Sequence, residues 1–178
     1  MASQNGVSSS TYERIIVGPG KVSINSVVIG ATKGGNVLEI NRTIADIRPD
    51  GAKGKVKGFR YIESVEAKLT CNLIEMIEEN IYYALAGSSL AAHVLTGGEI
   101  VNGTYLGAVY LAAEMKGVTS SSENRLVTVE LDNCLVEGPL TLTLPETGEV
   151  VSQLVFNAHY SAAAMTTEPW KITFTPVS

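Results

Sequence analysis

The stretch VEAKLTCNL, residues 65–73, decides the fold class. Val65, Ala67, Leu69, Cys71 and Leu73 fall on one side of an extended chain and Glu66, Lys68, Thr70 and Asn72 on the other. A period of two is that of a strand with one face on a core and the other wetted or contacted. The same pattern recurs downstream. It places Val127, Val129 and Leu131 inward in RLVTVELDNCLV, residues 125–136, and Leu140, Leu142 and Leu144 in PLTLTL, residues 139–144. In QLVFNAHY, residues 153–160, the inward set is Leu154, Phe156, Ala158 and Tyr160, and in WKITF, residues 170–174, it is Trp170, Ile172 and Phe174. Upstream, RIIVGPGKVSIN and SVVIGATKGG are short apolar runs cut by Gly and Pro, as in a meander entering a sheet.

The period changes once. In IEMIEENIYYALAG, residues 74–87, Ile74, Ile77, Ile81 and Leu85 recur at helical steps, with Glu75, Glu78 and Glu79 on the other face near the positive end of the helix dipole. Gly87 is the expected stop. These patterns predict a mainly β protein, an antiparallel β-sandwich or flattened barrel with one flanking α-helix. Residues 1–13 read as a flexible polar N-terminal arm and residues 14–178 as a single domain.

Charged residues make up 17% of the 178 residues and hydrophobic residues 45%, against about a quarter charged in an ordinary domain. A surface so short of charge suits coverage by copies of itself or by a partner, or else an uncharged Ser/Thr/Asn surface. The net charge of −5 gives no overall basic footprint and argues against a sequence-reading DNA binder. ASQNGVSSSTYE, after Met1, lacks the basic start and apolar core of a secretory signal, and no apolar run approaches the roughly 20 residues of a membrane helix. The expected compartment is the cytosol. Cys71 and Cys134, far apart and in strand-like settings, read as two reduced core cysteines.

GATKGG, residues 30–35, has the glycine spacing of a phosphate loop, but Asn36 and Val37 stand where the lysine and hydroxyl belong, and NVLEI opens no helix. GPGKVS at Gly18 lacks the third glycine of a dinucleotide fingerprint. Gly34 and Gly35 therefore read as a hairpin turn with φ > 0. For catalysis the inventory is thin. His93 and His159 have no His, Cys or Asp at metal-ligand spacing, and Ser120, Ser121 and Ser122 in TSSSEN lack the glycines of a nucleophile elbow. No catalytic residue, metal site or cofactor site is assigned, and the chain is not read as an enzyme.

The most unusual segment is RPDGAKGKVKGFR, residues 48–60, in which Arg48, Lys53, Lys55, Lys57 and Arg60 face a single acid, Asp50. Pro49, Asp50 and Gly51 form a turn. The lysines are expected to project from one side of a hairpin, as a solvated edge, as a contact to another protein or as a contact to a phosphate backbone.

Four segments, IIVGPGKVSIN, VVIGATKGGNVLEI, DIRPDGAKGKVKGFRYIESVEAKLTCNLIEM and FNAHYSAAAMTTEPWKITF, resemble the major tail tube proteins of long-tailed, siphovirus-like bacteriophages and related prophage tail elements. The likeness runs from about Ile15 to Phe174, and the GATKGGN and DGAKGKVKG segments carry most of it. The resemblance implies a homo-oligomer. Six subunits join inner sheets edge to edge into a ring, and rings stack into a hollow tube around a tape-measure protein. Tail terminator or tip proteins are further partners, and DNA passes through the lumen without sequence-specific binding. The implied location is the virion tail, assembled in the host bacterial cytoplasm, with no small-molecule substrate. It also implies an inter-ring contact loop, Arg48, Asp50, Gly51, Lys53, Lys55, Lys57 and Arg60, meeting acids such as Glu75, Glu78 and Glu79 of the next ring. Inner tubes of contractile tails and related injection machines share this fold and form an alternative. A monomeric ligand-binding β-sandwich lined by Tyr82, Tyr83, Tyr105 and Tyr110 is an alternative of another class.

Overall fold

Residues 65–73 form the second half of β4 (Arg60–Leu73), and Val65, Ala67, Leu69, Cys71 and Leu73 are all buried, as their alternation requires. This computed structural model describes residues 16–98, 109–119 and 125–176. The N-terminal arm, Tyr105 and the serines at 120–122 lie outside the described residues. β4 is flanked by β3 (Thr32–Asp46) and β9 (Ser152–Ala158), both antiparallel. A second group runs β2 (Val27–Val28), β1 (Ile16–Ile24), β7 (Leu111–Thr119), β8 (Arg125–Val136) and β10 (Trp170–Pro176).

β8 belongs to both groups. Its residues 125–131 pair with β10 and its residues 134–136 pair with β9, so one eight-stranded antiparallel sheet bends back over itself. Val22, Ile24, Ala113 and Leu131 from one half pack with Leu69, Leu73, Leu154 and Phe156 from the other in a single core. The result is mainly β, a flattened barrel with, among the described residues, one flanking helix. Among the described residues no helix is long and apolar enough to cross a membrane.

Several local expectations change. Gly34 and Gly35 do have φ of 86°, but they sit inside β3, where Thr32 pairs with Leu73 and Asn36 with Cys71. Two extra residues on one strand make a bulge, not a hairpin turn. The tight two-residue turns are elsewhere, at Asn25-Ser26 between β1 and β2 and at Ala92-His93 between β5 (Ser89–Ala91) and β6 (Val94–Thr96), all with positive φ. The hairpin β5–β6 falls in a small-residue stretch that gave no strand signal.

The helix α1 spans only Glu78–Ala84, with the chain extended before it. Its buried side is Asn80 and Ala84, with Met76 and Tyr83 packed on the core, while Ile77 and Leu85 are exposed. The period was helical but the phase is different. Asn80 takes the buried place because its amide donates to the Ile29 and Glu75 carbonyls at 2.8 and 2.9 Å, satisfying groups that burial would otherwise orphan.

PLTLTL forms no strand, and only its Leu140 packs on the core. In β10, Trp170 is half-buried but Ile172 and Phe174 are exposed beside Val129 and Val127, so the expected inward row is only partly covered. Tyr160 is exposed as well.

Phe156 has no exposed surface. Phe156→Ala is expected to cost about 3–5 kcal/mol, measured as a fall in the urea midpoint at unchanged slope. A loss under about 1 kcal/mol would mean that the two halves do not share this core.

Candidate assembly surfaces

The β3–β4 hairpin outgrows the body that carries it. β4 pairs with β9 only over Lys68–Leu73, so among the described residues its first eight have β3 as their only ladder partner, and of these Val65 and Ala67 are still covered by the core. An isolated two-stranded ribbon is marginal in water, yet this one carries Ile44, Ile47, Phe59, Tyr61 and Ile62 all exposed. Ile44 lies opposite Ile62 on one face. Tyr61 lies on the other, and the backbone bond from Ile47 N–H to Phe59 O brings those two residues beside it. Exposed apolar area on this scale makes the ribbon a candidate contact surface.

The tip of the ribbon is basic. The turn at 49–52 closes through Ala52 N–H donating to Pro49 O at 3.1 Å, with Gly51 at φ 85°. Arg48, Lys53, Lys55, Lys57 and Arg60 are all exposed. Strand pairing ends at Asp46 and Arg60, so the three lysines sit in a loop and not along one side of a hairpin, as the sequence suggested. The acid that two of the basic residues hold is Asp46 and not Asp50. Arg60 Nε donates to Asp46 Oδ1 at 2.7 Å and Lys55 Nζ lies 3.6 Å from Asp46 Oδ2. Asp46 was missed because Arg60 faces it across the strand pair and Lys55 reaches it from the loop, neighbour relations that linear spacing does not display. Loss of water works upward on its carboxyl and is the largest single influence, but the Arg60 hydrogen bond and the Lys55 and Arg60 charges together outweigh it, holding the group below 3.8.

The acids Glu75, Glu78 and Glu79 stand past the other end of β4. Thirteen steps of an extended strand separate the two poles by about 40 Å. Glu75 accepts from Ala31 N–H at 2.9 Å, and Gly30, φ 89°, leaves room for that carboxylate, which a Cβ would meet. Glu78 pairs with His93 on the β5–β6 turn, and Glu79 is exposed. The hydrogen bond and charge of Glu78 raise His93 above 6.5. Lys33 pairs with Glu149 at the same pole. Within one chain the basic tip and the acidic cluster therefore never meet.

Other groups raised by the sequence are placed as follows. Burial pushes both the Cys71 and Cys134 thiols up to about 12, and both are free. His159 holds Glu137 through Nε2 at 3.1 Å and the Asn133 carbonyl through Nδ1 at 3.2 Å, and Asn157 donates to the same Glu137. Tyr82, Tyr83 and Tyr110 do share a cavity, but its volume is about 160 Å³, below the roughly 300 Å³ at which ligand pockets begin. Among the described residues no three His, Cys, Asp or Glu side chains group to hold a metal.

The two poles carry opposite titration signatures. Asp46, depressed when folded, contributes stability above 3.8 that is lost as pH falls through its folded value. His93, raised when folded, contributes stability below 6.5 that is lost as pH rises through its folded value. Nuclear magnetic resonance titration is expected to place Asp46 below 3.8 and His93 above 6.5, with Glu78→Gln returning His93 toward 6.5. A His93 midpoint unmoved by that substitution would contradict the pairing. A scan against protein-family models gives no match for this chain, and a search of curated proteins gives none.

Proposed function

We propose that this protein is a structural subunit that self-assembles head to tail into a hollow phage tail tube, as stacked hexameric rings around a tape-measure protein and as a conduit for DNA. One observation carries the reading. A bare apolar ribbon with a basic tip leaves one end of β4, and an acidic cluster stands at the other, about 40 Å away. Opposite charges on opposite poles repel when like ends meet and attract when copies stack in one direction, and a heterologous contact that does not close on itself propagates as a filament.

Lys53, Lys57 and Arg48, exposed in the single chain, are the groups offered to the next ring, with Lys55 and Arg60 turned partly to Asp46. Glu79 is the most available acid of the receiving pole, since Glu75 and Glu78 already hold Ala31 and His93. The sixfold symmetry, the tape-measure, terminator and tip partners and the virion-tail location rest on the family resemblance. No step in this function requires a catalytic residue or a cofactor. The acidic net charge suits a lumen through which DNA slides, because few counterions are released by contact with it.

Purified protein at high concentration is expected to give rings or tubes of uniform width by negative-stain electron microscopy. Lys53→Glu is expected to shorten or abolish stacking, and Lys53→Glu combined with Glu79→Lys to restore part of it. Tubes of wild-type length from Lys53→Glu would remove the basic tip from the interface. A strict monomer that also fails to extend tail-tip complexes would sink the tube reading.

A further inference from the structure

The turn that opens the basic loop has Asp50 and Gly51 at its two central positions, with Gly51 at φ 85°. A positive φ at the third residue of a turn is the type II geometry that asks for glycine. The closing bond uses the Ala52 amide and the Pro49 carbonyl, and among the described residues the Gly51 N–H has no acceptor. Asp50 and Gly51 are both exposed, and the space where a side chain on Gly51 would stand is open.

The Asp50 carboxylate is as little engaged as the amide beside it. Lys55 and Arg60 both go to Asp46, and among the described residues Asp50 makes no ion pair. An unheld carboxyl next to an unbonded glycine amide is placed for a reaction within the chain. No side chain screens the Gly51 nitrogen, and the backbone freedom of glycine lets the carboxyl carbon reach it. Comparable groups elsewhere are tied down. Asn25, before Ser26, accepts Ala112 N–H on its side-chain oxygen at 2.9 Å and donates its own N–H to Ala112 O at 2.8 Å. Asp46 precedes Ile47, whose N–H is already given to Phe59 O at 2.8 Å. The two Asn-Gly pairs, at 5–6 and 102–103, lie outside the described residues.

We infer that Asp50-Gly51 is a self-modification site, at which the folded subunit converts its own aspartate to isoaspartate through a cyclic imide. The Gly51 nitrogen bonds to the Asp50 carboxyl carbon, and the carboxyl hydroxyl leaves with the amide hydrogen as water. A water molecule then opens the ring. Attack at the side-chain carbonyl restores aspartate, whereas attack at the main-chain carbonyl leaves the chain running through the former side chain, with the α-carboxylate free. No electrons are exchanged, and water is the only other reactant. The product keeps the charge of Asp50 but places one more methylene in the main chain, inside the turn that leads to Lys53. Its free α-carboxylate is the group that carboxyl methyltransferases of the isoaspartate-repair class accept, so an enzyme of that class is the partner this site takes. The chemistry needs only the turn and stands apart from the tube reading.

The test uses the full chain, held at growth temperature and neutral pH for days, then digested with trypsin and read by electron-transfer fragmentation. Pro49 blocks cleavage after Arg48, so Asp46 and Asp50 fall in one peptide, residues 43–53. Expected is isoaspartate accumulating at 50 while Asp46 in the same peptide stays unchanged, with an acid-quenched fraction of the peptide short of one water. Gly51→Ala is expected to lose the signal. That variant forces a side chain into φ 85°, so Asp50→Asn is the second: it closes the same ring with ammonia as the leaving group and is expected to give isoaspartate at 50 faster than the wild type, at unchanged circular dichroism. Aged wild type without isoaspartate at 50, or Gly51→Ala forming it at the wild-type rate, overturns the site. Isoaspartate that forms only in the urea-unfolded chain takes the reaction out of the folded turn and overturns the inference as well.

Discussion

On the edge away from β7, strand β8 changes partner from β10 to β9, and the rest of the fold depends on that change. The change occurs at Asn133, whose φ of 51° puts one residue in the left-handed region and an irregularity opposite β7. Asparagine tolerates that conformation better than most residues, and here both its ends are used. Its amide donates to the His159 carbonyl at 3.2 Å, and its carbonyl accepts the His159 N–H at 3.1 Å. The bulge sends Leu131 toward β10 and Cys134 toward β9, which folds the sheet back and closes Phe156 between its halves. A bulge of this kind bends its strand and increases the local twist.

From that junction the polarity of the molecule follows. β9 reaches only the far half of β4, so the near half and its partner β3 run on alone as the ribbon. The ribbon's tip and the helix pole are the two ends of the same strand, and their charges are separated by the length of the backbone between them. A sandwich with paired strands of equal length would have buried one face of this hairpin, such as Ile44 with Ile62, and kept no projecting end.

The sequence was most legible where one physical rule acted alone. The β4 row from Val65 to Leu73 was readable because neighbours cover one face and water the other. PLTLTL obeys the same alternation but forms no strand, because a ladder needs an adjacent backbone and Gly138-Pro139 carries the chain off the line of β8. The helix phase was not legible because apolar residues occupy almost every turn of residues 74–87, and what selects Asn80 is a pair of carbonyls, one of them Ile29, far away in sequence. Gly34 and Gly35 were read correctly as positive-φ residues and wrongly as a turn, since bulge and hairpin ask the same thing of φ. Lys53 and its neighbours were visible as a basic run, while Asp46, the acid that organises it, becomes visible only once β3 and β4 are paired.

The ribbon also fixes how any contact that covers it would respond to temperature. Ile44, Ile47, Phe59, Tyr61 and Ile62 are held in water by the isolated chain, and covering such surface is driven near room temperature by the release of its hydration shell, with a negative change in heat capacity. Contacts built on it strengthen on warming toward growth temperature and loosen in the cold. The thermal bias toward whatever state covers this surface therefore resides in the ribbon itself.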